Sequence, residues 1–176
     1  MTITVRPYET RDAAGANEVA RAAFAQYEQH YDDWPAFIER IGRLDELAPE
    51  GELLVAEQGG AIVGAVLHVA PGRPRSAIFP LEWSVVRMLV VAPAARGQGA
   101  GRRLMAACLR CARDIGAPAV VLHTSPVMAT ALRMYETIGF VRDRDIPPIQ
   151  GMAYGRYMLP AAGIGQALAM LEAPRD

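Results

Sequence analysis

The chain has 176 residues, 52% of them hydrophobic and 21% charged, with 18 arginines, no lysine, 19 acidic groups and a net charge of −1. These proportions suit one globular domain with a sizeable core. They exclude a disordered chain, a collagen-like chain and a strongly basic nucleic-acid-binding tail. Neutrality conceals an asymmetry: Met1–Glu50 holds ten acids against five arginines, whereas Trp83–Arg113 holds six arginines and no acid.

In chain order, Thr2–Pro7 alternates like a strand. Thr10 or Asp12 is placed to cap a helix reaching Gln29, with Ala20, Ala23, Phe24 and Tyr27 on one stripe. A second helix is expected over Pro35–Leu47. Glu52–Gln58 and Ala61–Val69 read as strands joined by a Gly59-Gly60 hairpin turn. Leu81–Val91 reads as a long strand, apolar on both faces from Met88 onward, as suits a central strand. A Gly-rich turn leads to a helix over Gly101–Ile115. Ala119–His123 follows as a strand and Val127–Thr137 as a helix with Gly139 as its C-cap. Arg142-Asp-Arg-Asp145, before Pro147-Pro148, reads as an exposed charged loop between strands at Phe140-Val141 and Tyr154–Leu159. The domain is expected over 1–160, and the tail 161–176 carries a weak helical stretch at Gly165–Leu171.

No apolar leader follows Met1, and the longest uncharged run, Ile115–Leu132, is 18 residues broken by Pro118 and Pro126. A spanning helix needs about 20 mostly apolar residues, so a cytoplasmic protein with no membrane partner is expected. Absent lysine beside abundant Arg and Ala points to a bacterial codon bias. Cys108 and Cys111 fit a redox pair or two buried thiols, with the apolar helical pattern favouring the thiols. His68 and His123 fall in strand patterns and read as satisfied core histidines. No set of His, Cys and carboxylates has metal-ligand spacing, and no metal is expected.

The segment Arg96-Gly97-Gln98-Gly99-Ala100-Gly101 carries the most chemistry. It follows a buried strand and opens a helix. Amides at a helix N-terminus lack partners and face a positive dipole end, and glycines let the backbone approach a ligand. Arg96, Arg102 and Arg103 add charge, so a diphosphate is the expected guest. Arg102 stands where a dinucleotide GxGxxG motif needs its last glycine, and the P-loop Gly-Lys-Ser/Thr is missing. A generic nucleotide-phosphate binder stays open on this segment alone.

Met88–Leu104 resembles motif A of the GNAT acetyltransferases, with Arg96, Gly99 and Gly101 on its R/Q-x-x-G-x-G/A core. Ala131-Leu-Arg-Met-Tyr-Glu-Thr-Ile-Gly-Phe140 is similar to the family's A-x-x-x-Y-E-x-x-G-F motif. The resemblance implies a mixed α/β fold with a central, mostly antiparallel sheet splayed at the CoA site and flanked by helices. It implies acetyl-CoA, or another acyl-CoA, as co-substrate. Leu89, Val90 and Val91 would meet the pantetheine arm, and Arg96, Gly97, Gln98, Gly99, Ala100, Gly101 and Arg102 the pyrophosphate. Tyr135 matches the tyrosine that protonates the leaving thiolate as general acid, although its spacing with Met128, Ala131 and Leu132 equally suits a core stripe. The family's strand glutamate falls here on Val85. Glu82 is retained as a candidate base, against the alternative of a surface carboxylate. Met128 stands where many members carry a CoA-binding Asn, with Ser125 or Thr124 as substitutes.

Tyr27, Tyr31, Asp32 and Asp33 form an acidic, aromatic turn suited to a cationic amine, or a solvated loop with an aromatic anchor. The implied activity is acetyl transfer from acetyl-CoA to a primary amine by direct attack in a ternary complex. A small-molecule amine is the first expectation and a peptide or protein N-terminus the next. A non-catalytic acyl-CoA sensor is the alternative, and a homodimer is compatible with either.

Overall fold

The computed structural model describes residues 1–174. Among them, seven strands form one sheet in the order β1-β2-β3-β4-β5-β7-β6. The strands are β1 (Ile3–Pro7), β2 (Glu52–Gln58), β3 (Ala61–Val69), β4 (Ser84–Val91), β5 (Ala119–Thr124), β6 (Val141–Ile149) and β7 (Met152–Pro160). The helices are α1 (Ala13–Phe24), α2 (Trp34–Ile41), α3 (Ala100–Asp114), α4 (Ala129–Thr137) and α5 (Ala161–Glu172). Every neighbouring strand pair is antiparallel except β4–β5.

Period-two alternation builds two cores. Leu54, Val66, Val86, Val120 and Leu122 meet α3 and α5 on one face. Val55, Ala65, Leu67, Val85 and Val121 meet α1 and α2 on the other. The Arg6 guanidinium ties β1 to the Asp12 carboxylate at 2.7 Å and to Glu57 on β2 at 2.7 Å.

Several boundaries differ from the sequence reading, each for a local reason. The first helix ends at Phe24 and continues as a 3₁₀ segment over Ala25–His30. The second ends at Ile41 before Gly42, and Leu44–Glu50 is again 3₁₀, carrying Pro49. β4 begins at Ser84, so Glu82 lies outside the strand, exposed in the preceding turn. Arg142–Asp145 is not a loop but part of β6, at the sheet edge. An edge strand tolerates Pro147 and Pro148, which fall where the β6–β7 register shifts between Ile146 and Ile149. The tail stretch expected at Gly165–Leu171 is a longer helix, α5, with Ile164, Ala167, Leu168 and Leu171 buried against the α3 side of the sheet. The last two residues of the expected tail lie outside the described residues. No helix among the described residues is long and apolar enough to cross a membrane.

Candidate active site

β4 and β5 pair at Ser84–Val120 and Val85–Val121 only. Past that point β4 stays with β3 as far as Val91, and β5 stays with β7 as far as Thr124. The facing edges of the two strands therefore diverge. A bulge accompanies the divergence. Ala65 pairs Val90 while Leu67 pairs Arg87, so Met88 and Leu89 stand opposite Val66, and Met88 has φ of 54°. Backbone groups along such an opening need partners from outside the ladder.

The opening leads into a cavity of about 450 Å³ lined by residues of both cores. Leu89 and Val91 form its floor, the Arg96–Arg102 turn one end, the α1 terminus a second wall, and α4 from Met128 to Ile138 a third. The turn has the geometry of an anion cradle. Gly97 and Gly99 have φ of 77° and 93°, in the left-handed region. A Cβ at either would meet open space, so conformation rather than room demands glycine there. Gly99 caps α3 with no side-chain cap and no acid in the first turn. The first bond into the helix runs from the Arg103 amide to the Gly99 carbonyl at 3.1 Å. The amides of Ala100, Gly101 and Arg102 are thus the ones the helix leaves over.

The arginines of the turn have different partners. Arg96 lines the cavity and reaches the Ala23 carbonyl at 3.3 Å. Arg102 lines the cavity as well, while its guanidinium donates to the carbonyls of Met170 at 2.6 Å and Leu171 at 3.0 Å, closing the end of α5. Arg103 is exposed outside the lining. Val90 is buried on the opposite face. The Gln98 carboxamide donates to the Ala94 carbonyl and accepts from Gln58, each at 2.9 Å, outside the lining.

Tyr135 is 6% exposed in the α3-side core, with its ring 5.9 Å from Phe140. Burial, then the neighbouring Cys108 and Tyr27, push its phenol well above the ordinary value, so the hydroxyl stays protonated. Its side chain does not line the cavity wall, but Tyr27, which does, acts on it electrostatically. Ser125 is spent locally, its hydroxyl accepting from the Val127 amide at 3.3 Å, and the Thr124 hydroxyl points to the Met128 sulfur at 3.8 Å.

A second cavity, about 690 Å³, lies on the α1 face of the sheet. Arg87 of β4 and His123 of β5, just past the last β4–β5 pair, line it with Phe79, Glu50 and the Ile146–Ile149 stretch. Arg87 pairs with Glu50 at 2.5 Å. Arg75 is held by the carbonyls of Ala70, Pro80 and Trp83 in its own loop. His123 was expected as a satisfied core histidine, yet its Nδ1 is enclosed without a partner among the described residues. Its ring lies 5.4 Å from Phe79 and 5.2 Å from Tyr154. Burial, then Arg87, push its pKa down to about 4, leaving a neutral imidazole.

Of the four expected acceptor residues, Tyr27 lines the first of these two cavities and the other three line neither. The buried Tyr31 hydroxyl bonds to that of Tyr154 at 2.6 Å. Asp33 caps α2, its carboxylate accepting from the Ala36 amide at 3.1 Å. The Asp32 amide donates to the Gln150 carbonyl at 2.8 Å, tying this turn to the β6–β7 turn. Glu82 lines neither cavity and interacts electrostatically with Arg75. The β4 bulge stands at Met88, well beyond Glu82, and does not turn Glu82 toward the opening. His123 and Arg87 are the site residues that sequence reasoning missed. Their signal was weak: each falls two residues beyond a member of the last β4–β5 pair, which only the topology reveals.

The acetyltransferase (GNAT) family model matches residues 15–140. A mycothiol acetyltransferase from Pseudarthrobacter chlorophenolicus is 30% identical over 146 residues, 82% of this chain and 44% of that protein. The chain thus spans less than half the length of that relative. A putative acetyltransferase from Salmonella typhimurium, solved with its cofactor acetyl-CoA, shares the fold at a TM-score of 0.67 and 18% identity, over 92% of this chain and 95% of that one. An N-acetyltransferase from Thermoplasma acidophilum in complex with coenzyme A does so at a TM-score of 0.72 and 15% identity, over 91% and 99%.

Proposed function

Because the chain belongs to the GNAT acetyltransferase family, we propose that it transfers an acetyl group from acetyl-CoA to a primary amine of a small molecule, by direct attack in a ternary complex. One observation carries this reading: where β4 and β5 part, one cavity is lined by Leu89 and Val91 of β4 with the glycine-rich turn, and a second by Arg87 of β4 and His123 of β5. Acetyl-CoA brings a thioester, whose carbonyl carbon an amine attacks and whose thiolate leaves.

The chain's own residues have separable tasks. The amides of Ala100, Gly101 and Arg102, with the Arg96 guanidinium, hold the diphosphate. Leu89 and Val91 offer an apolar floor and a free strand edge to the pantetheine arm. The Tyr135 hydroxyl, kept protonated by burial, supplies the proton that the departing sulfur takes up. Arg87 and the neutral His123 face the incoming amine from the other cavity. A cationic wall disfavours an ammonium ion, so the nucleophile arrives neutral, and His123 accepts a hydrogen bond from it. The proton that the nitrogen sheds as the amide forms passes through solvent, from which the Tyr135 phenolate recovers its own. Alignment supplies much of the acceleration, since effective molarities on the order of 10⁵ M or more are available to well-oriented reactants. The relative that acts on mycothiol, a small molecule by name, supports the choice of acceptor class.

The test is thiol release from acetyl-CoA across a panel of small amines and peptide N-termini. Acceptor-dependent release, strongest with small amines, is expected. Tight CoA binding without such release would overturn catalysis in favour of an acyl-CoA sensor.

A further inference from the structure

Beside the start of β4, on the α3 face, the fold assembles three groups from three elements. Glu52 of β2 and His68 of β3 are cross-strand partners on one face. Cys111, near the end of α3, lies over them. The Cys111 thiol donates to the Glu52 carboxylate at 2.9 Å, and His68 Nδ1 lies 3.9 Å from the same oxygen. One ligand atom from each of the three residues lies within 4.8 Å of the others. Linear spacing hid this group, because the second residue lies 16 positions after the first and the third 43 positions after the second.

His68 points to the purpose. It is 2% exposed, and its Nδ1 is enclosed without a hydrogen-bond partner among the described residues. Its other nitrogen, Nε2, lies 3.1 Å from the Ser84 hydroxyl. With Nε2–H donating to Ser84, the Nδ1 lone pair is left facing Glu52 and Cys111. A buried nitrogen without a partner is costly, and a polar neighbour that fixes the opposite nitrogen is the usual support of a metal-binding imidazole.

We propose that Glu52 Oε2, His68 Nδ1 and Cys111 Sγ bind a zinc ion, with a water molecule as the fourth ligand. Zinc takes thiolate at about 2.3 Å and imidazole or carboxylate at about 2.0–2.2 Å in a tetrahedron, which places its ligand atoms roughly 3–4 Å apart. The three atoms already span nearly that geometry, and the exposed Glu52 side chain has the freedom to adjust. The thiol must give its proton to solvent as the Zn–S bond forms, so one proton is released per ion. The site clamps the β2–β3 pair to the last turn of α3, whose first turn carries the diphosphate cradle roughly 16 Å away along the helix axis. The assignment is independent of the proposed reaction.

The experiment uses the untagged, CoA-free chain under non-thiol reductant. Titration with Zn²⁺ is expected to show one equivalent bound, one proton released near pH 7 and a rise in Tm of several degrees. Titration with Co²⁺ is expected to show a thiolate-to-cobalt charge-transfer band. Cys111→Ser should abolish the band, and Cys111→Ser and Glu52→Gln should each weaken Zn²⁺ binding at least tenfold while leaving thiol release from acetyl-CoA unchanged. Both residues are partly or largely exposed, so these variants test the site even if His68→Gln does not fold. Absence of stoichiometric binding, a missing thiolate band, or variants that bind zinc as well as the parent would each overturn the assignment.

Discussion

The hydroxyls of Tyr31 and Tyr154 lie 2.6 Å apart, joining the segment before α2 to β7 beside the second cavity. Both residues are 6% exposed, and the Tyr31 ring stacks on Phe37 with centroids 3.7 Å apart. Burial raises both phenols, Tyr31 further because its hydrogen bond to Tyr154 favours the neutral form. Each hydroxyl therefore remains a neutral donor or acceptor for the other.

Removing one of the two hydroxyls strands the other in an apolar wall. Tyr31→Phe or Tyr154→Phe should each cost about 1–3 kcal/mol, whereas replacing both should cost clearly less than the sum. Urea unfolding of the two single variants and the double variant measures this. Strict additivity would show that the pair is not coupled.

Two arginines of the glycine-rich turn should part company. Arg102 spends its guanidinium on the carbonyls of Met170 and Leu171. Arg102→Ala should therefore lower stability by about 1–2 kcal/mol through the lost charged hydrogen bonds, with a small change in KM for acetyl-CoA. Arg96 lines the first cavity and makes one long bond to Ala23. Arg96→Ala should raise that KM about tenfold or more at nearly unchanged Tm. Steady-state kinetics beside thermal melts separates the two, and an exchange of the two phenotypes would refute the division.

This contrast marks what the sequence could reveal. The turn itself was legible, because Gly97 and Gly99 recur at short spacing after an apolar strand and before an amphipathic helix. The element order was legible for the same reason, since apolar period settles most elements. The destination of a long side chain was not: Arg102 reaches a helix nearly 70 residues further on. β6 was masked by Arg142–Asp145 and two prolines, which look like a loop until the strand is known to lie at an edge. The acceptor-side residues Arg87 and His123 depend on where β4 and β5 part, a tertiary fact. Asp33 looked like a substrate ligand because an N-cap and a binding carboxylate share the same residue type.

Tyr135 combines a protonated hydroxyl with a side chain otherwise packed in the core. Tyr135→Phe keeps the ring against Phe140 and removes only the oxygen, which makes no hydrogen bond among the described residues. Stability and KM for acetyl-CoA should stay nearly constant while kcat falls by about 10²-fold or more. Unchanged turnover would remove the acid role and leave Tyr135 as a packing residue.

Burial first, and Arg87 second, lower the His123 pKa from 6.5 to about 4. The charged groups facing the second cavity are Arg73, Arg75, Arg87 and Glu50, so a protonated imidazole would join a wall with a surplus of positive charge. A depressed histidine means that the unfolded chain takes up a proton the folded chain refuses. Its contribution is complete above about pH 6.5, declines as pH falls from there towards 4, and is lost by about pH 4. The bound on the loss is about 3 kcal/mol. His123→Gln carries no titrating proton, so the difference in stability between parent and variant should shift across that window. Carboxylates and His68 titrate in both proteins and cancel in the difference. Urea unfolding at a series of pH values from 7.5 to 4 measures it, and a difference that stays flat with pH would show that His123 titrates as a solvent-exposed histidine does.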